Sequence, residues 1–125
     1  MIRWFLLTVS IATAADVNGI WSGQLPTRFG EIEDLSFRFV QKGTILTGKM
    51  YGDNESTGIQ DATLEGDQIR FVIVTELNGG PRKFVYSGTV KGDRMELSRK
   101  RELLPGDPNT NNRAAPQAVV LRKLL

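Results

Sequence analysis

Thr63-Leu64-Glu65-Gly66-Asp67-Gln68-Ile69-Arg70-Phe71-Val72-Ile73-Val74-Thr75 decides the fold of this chain. A short apolar run ends at Leu64, Glu65-Gly66-Asp67-Gln68 turns, and a dense run of β-branched and aromatic residues follows. Glycine reaches φ > 0 cheaply, so a Gly-Asp pair between such runs marks a tight hairpin. The same form returns in Thr89-Val90-Lys91-Gly92-Asp93-Arg94-Met95, and Gln41-Lys42-Gly43-Thr44 makes a third turn. Successive hairpins build an antiparallel meander. The repeat has too few copies for a propeller or a solenoid.

Working outward from these turns, eight strands are predicted, at 18–25, 33–41, 44–51, 58–64, 68–76, 82–90, 94–101 and 117–123. In the second, Leu35, Phe37 and Phe39 alternate with Ser36 and Arg38, the pattern of a strand with one inward face. Short antiparallel strands in this number predict an all-β fold, an eight-stranded antiparallel up-and-down β-barrel, because closure removes exposed sheet edges. The interior of such a barrel has room for side chains or for one small ligand.

The barrel is expected to be one domain over residues 16–125, with residues 1–15 set apart as a signal peptide. Met1-Ile2-Arg3 is a basic head, residues 4–15 are apolar or small, and Ala12-Thr13-Ala14 is a small-x-small cleavage site. The apolar run is too short for a transmembrane segment. This layout predicts a secreted or periplasmic protein. The full chain has 125 residues and no Cys, which fits a bacterial exported protein built on its core alone.

The absence of His and Cys removes Ser-His-Asp and Cys-His catalysis and the usual zinc sites. No nucleophile–base pair can be named, so no enzyme activity is expected, and no cofactor or metal site is expected either. Asp107-x-Asn109-x-Asn111 opens like a calcium loop, but Asn112 replaces the needed Gly and Ala118 the needed Glu. Net charge is +2, with basic residues concentrated in the second half. No basic stripe interleaved with aromatics accompanies them, so nucleic acid is not expected as a partner.

Gly19-Ile20-Trp21 on the first strand, Leu46-Thr47-Gly48 on the third, the repeated Gly-Asp hairpins and a basic residue late in the last strand form an ordered set. With it, residues 16–125 resemble the small exported bacterial lipocalin-like domains of the calycin superfamily. The resemblance is to domains of unassigned function and implies the barrel fold; a small hydrophobic or amphipathic, even anionic, ligand in the lumen is expected from the pocket-like composition of the inward faces. The resemblance also implies structural roles for Gly19, Trp21 and Arg122, with Lys123 as the alternative to Arg122. The C-terminal helix and disulfides of many lipocalins are missing, as are the avidin tryptophans. Residues 26–31 are too few for the helical lid of fatty-acid-binding proteins. The residues agree independently: Trp21 buries a large area and needs a partner for its N–H, and a cation stacks well on an indole.

Strand parity proposes the site. Phe37, Phe39, Phe71 and Ile73, with Met95 and Leu97, belong to inward faces, and Tyr86 shares a face with Phe84 and Val90. They form either the wall of an apolar pocket or a filled core. Asp61 shares parity with Ile59 and Thr63, and Arg99 with Met95 and Leu97. The two charges are thus expected at the lumen, paired or as anchors for a polar head, unless a β-bulge turns one outward. If the aromatic rings meet across the axis, function moves to the loops at the barrel ends, and the domain is an accessory or interaction module.

Overall fold

The computed structural model describes residues 15–26, 30–51, 56–77, 80–105 and 116–125. The proposed signal peptide, apart from Ala15, and the Asp107–Asn111 motif lie outside these residues. Among them run nine strand segments: β1 (Gly19–Pro26), β2 (Ile32–Lys42), β3 (Ile45–Tyr51), β4 (Ser56–Gly58), β5 (Gln60–Glu65), β6 (Gln68–Leu77), β7 (Gly80–Lys91), β8 (Arg94–Glu102) and β9 (Gln117–Lys123). The order is β2-β1-β9-β8-β7-β6-β5-β3-β4, and β2 pairs with β3 to close the circle. β4 and β5 are two halves of one interrupted stave. The protein is therefore an eight-stranded antiparallel up-and-down β-barrel.

The interruption has a local cause. The β5–β6 register shifts between Gln60 and Thr63, and Asp61 sits in the left-handed region at φ 47°. The extra residue flips the alternation. Ile59 packs against the core before the bulge, and Ala62 and Leu64 do so after it. Asp61 itself is exposed. The expected inward placement of Asp61 is thereby corrected: parity counted from Ile59 fails once the bulge has intervened.

The turns at Gly43, Gly66 and Gly92, each at positive φ, all belong to one end of the barrel. That end is plugged. Residues Ala15–Asn18 cross it from the β5–β6 turn, where the Ala15 amide donates to the Gly66 carbonyl at 2.9 Å, to the start of β1 on the opposite wall. Val17 is buried beneath, and Trp21, 0 % exposed, donates its indole N–H to the Val17 carbonyl at 3.0 Å. Gly19, at φ +127°, is where the C-terminus passes. A Cβ there would collide with the Leu125 carbonyl oxygen, while the Ile20 amide donates to that same oxygen at 3.1 Å. Burying this plug removes a large apolar area from water, which stabilises a chain with no disulfide.

The expected Trp21–Arg122 stack is corrected by the β1–β9 register. Trp21 lies opposite Lys123, and Ser22 opposite Arg122. Side chains alternate faces along a strand, so Lys123 shares the inward face of Trp21 and Arg122 points out. Lys123 Nζ lies 6.0 Å from the indole centroid, and Arg122 is exposed.

Candidate functional site at the barrel mouth

The middle of the barrel is filled by four rings. Phe37 and Phe39 come from β2, Phe71 from β6 and Tyr86 from β7, on opposite walls. Phe37 meets Phe71 at 5.3 Å and Tyr86 at 5.5 Å, both edge-on, and Phe71 stacks on Tyr86 at 4.9 Å. All four are 1 % exposed or less. Edge-to-face and offset contacts of this kind suit the ring quadrupoles. Ile73, Met95 and Leu97 are buried in the same cluster. Of the two expectations for these residues, the structure shows the rings in contact with one another across the axis.

The end of the barrel opposite the plug, the mouth, is different. There the inward faces of β7 and β8 change from apolar to cationic. β7 carries Arg82, Phe84 and Tyr86 in alternation, and β8 carries Leu97, Arg99 and Arg101. Register sets Tyr86 opposite Arg99 and Phe84 opposite Arg101. Arg82 lies opposite Thr75 of β6. Three guanidinium groups thus share one face of a two-strand ladder, above the aromatic floor.

Arg99 is held on several sides. Its Cζ lies 4.8 Å from the Phe84 ring centroid, a cation–π distance. Its Nε and Nη2 both donate to Gln117 Oε1, at 3.2 and 2.9 Å. Its Nη2 lies 3.8 Å from Glu33 Oε2 of β2, and its side chain is 11 % exposed. The Asp61–Arg99 pair expected from parity is replaced by Glu33–Arg99. Tyr86 lies under this group. Burial pushes its phenol above the ordinary tyrosine range, the neighbouring Arg99 opposes that by hydrogen bond and charge, and Glu33 adds to it.

Sequence reasoning placed Arg99 and Tyr86 correctly on an inward face and missed Arg82, Arg101, Glu33 and Gln117. The signal was present: period two, continued past Phe84 and Arg99 to the strand ends, reaches Arg82 and Arg101. The candidate set stopped where apolar residues stopped. Elsewhere the structure has open grooves on the outer wall, one of about 330 Å³ lined by Arg38, Val40, Thr47, Gly48, Lys49 and Tyr51. A second, more polar groove is lined by Thr63, Glu65, Gln68, Arg70 and Ser87; both lie on the outer wall and not in the lumen. Among the described residues, no three His, Cys, Asp or Glu side chains gather as metal ligands, and no helix is long and apolar enough to cross a membrane.

Comparison with known proteins returns no matching family model, no matching curated protein and no matching solved structure.

Proposed function

We propose that this chain is an exported, non-catalytic binding protein that takes a small amphipathic molecule at the mouth of its barrel. The observation that supports this reading is the inward cation–aromatic mouth, where Arg82, Arg99 and Arg101 stand beside Phe84 above a closed aromatic floor. A cationic head-binding group next to a half-buried ring suits a molecule with an anionic head and an apolar body. Phe37, Phe39, Phe71, Ile73 and Tyr86 form and support the floor in this reading, and Arg99 stands with Phe84 at the guest. Asp61 has no part in it.

The neutral naphthalene probe N-phenyl-1-naphthylamine and its anionic relative 1-anilinonaphthalene-8-sulfonate test the reading. Saturable binding of either to the folded protein, weakened by Phe84→Ala, supports it. No saturable binding of either by wild type overturns it. Export is tested by the N-terminus of the protein recovered outside the cytoplasm: a start near Asp16 supports cleavage after Ala14 or Ala15, and a start at Met1 refutes it.

The filled core favours a second reading, an accessory or interaction module that uses the loops of the mouth to contact a macromolecule. Under that reading neither probe binds, and a protein complex forms in which the mouth is shielded from solvent.

A further inference from the structure

We propose that Arg82 anchors a binding point for a tetrahedral oxyanion, a phosphate or sulfonate head group, at the mouth of the barrel. The proposal rests on the amphiphile reading above and narrows its ligand class. It begins from a contrast between two arginines on one face. Arg99 has its acceptors within the chain, namely the Gln117 amide oxygen and the Glu33 carboxylate. Arg82 has none. Its Nε is buried without a hydrogen-bond partner, whereas the neighbouring cations Lys83 and Arg99 each have an ion pair.

A cation held partly out of water without a counter-charge is costly. Arg82 is half-buried on the inner wall, yet it stands apart from the Lys83–Glu102 ion pair beside it on the ladder. That exception has a physical reason if the partner of the fork is a ligand rather than a residue of this chain.

Arg101, which has an interaction of its own within the chain, adds a second guanidinium whose buried Nε has no hydrogen-bond partner. It lies opposite Phe84, and Arg82 lies two residues before Phe84, so the two arginines are diagonal neighbours on one face. Diagonal neighbours of an antiparallel ladder stand about 7–8 Å apart, within reach of long side chains. Forks from two strands at two heights do not share a plane. A carboxylate has two coplanar oxygens and suits one fork. A phosphate or sulfonate presents three oxygens around a tetrahedron and can accept from both. A shared anion also turns the mutual repulsion of the guanidinium groups into attraction. The same chemistry is found in free phosphate and in the head group of a phosphorylated lipid.

Wild type, Arg82→Met, Arg82→Lys and Arg99→Ala are titrated with dodecyl phosphate, inorganic phosphate and neutral N-phenyl-1-naphthylamine, and melting temperatures are recorded with and without each. Met keeps the length of the side chain and removes the charge. Arg82→Met is expected to weaken dodecyl phosphate at least about tenfold, as loss of a charged hydrogen bond does, and to leave the neutral probe unchanged. Arg82→Lys, which keeps the charge and loses the fork, falls between. Without ligand, Arg82→Met melts at or above the wild-type temperature, because it removes an uncompensated charge. A merely structural arginine would lower it. Inorganic phosphate binding with the same Arg82 dependence assigns the site to free phosphate, and binding of dodecyl phosphate alone assigns it to a lipid head. Dodecyl phosphate binding that survives Arg82→Met, or that is lost only in Arg99→Ala, overturns the proposal. If the neutral probe binds wild type and dodecyl phosphate binds no better, the oxyanion point falls and the amphiphile reading stands. If inorganic phosphate alone binds, the reverse holds. If nothing binds wild type, both fall.

Discussion

Phe37 on β2 and Phe71 on β6 meet edge-on across the barrel, with ring centroids 5.3 Å apart. The contact joins opposite walls, so side chains fill the barrel axis at mid-height. Phe37→Ala removes one of the fully buried rings. It is expected to cost about 3–5 kcal/mol in denaturant unfolding, the range for large aromatic truncations. An apolar cavity of this kind stays dry and accepts a benzene-sized molecule. Benzene should therefore raise the melting temperature of Phe37→Ala and leave wild type unchanged. An equal effect on both proteins would show that the wild-type rings leave open space.

The plug makes a second prediction. Trp21→Ala is expected to cost about 3–5 kcal/mol, since its ring is fully buried and its N–H is bonded to Val17. The cation beside it separates Lys123 from Arg122. Lys123→Ala should cost about 0.5–1 kcal/mol, and Arg122→Ala, an exposed position, less than about 0.5 kcal/mol. A larger loss for Arg122 than for Lys123 would contradict the register.

Tyr86 gives a pH signature. Its folded-state pKa is raised, first by burial. The stability tied to its neutral form is fully present below the unfolded tyrosine pKa of about 10 and is lost as pH rises through the folded value. Wild type should therefore lose stability relative to Tyr86→Phe above about pH 10. Denaturant midpoints of both proteins, measured from mildly to strongly alkaline pH, check this. A difference that stays flat would place the phenol in water.

Asp61 tests the bulge. At φ 47° an L-residue carries strain that glycine avoids. Asp61→Gly is expected to be neutral or to stabilise by up to about 1 kcal/mol, and Asp61→Val to destabilise by about 1–2 kcal/mol. Neither should alter probe binding at the mouth. Reduced binding in both variants would return Asp61 to the lumen.

What the chain determined by itself was everything that local chemistry and period two can reach. Glycine turns at 43, 66 and 92 and alternation in strands such as Leu35-Ser36-Phe37-Arg38-Phe39 predict the meander, its closure and its inward faces, because turn geometry and side-chain direction depend on neighbours in sequence. The tertiary structure alone decided what meets across the barrel. Glu33 and Arg99 are far apart in sequence and find each other only when β2 and β8 curve to face one mouth. The bulge at Asp61 reverses parity at a residue whose type does not announce it. Lys123 rather than Arg122 reaches Trp21 because the β1–β9 register, a long-range pairing, moves every side chain to the other face if it slips by one residue.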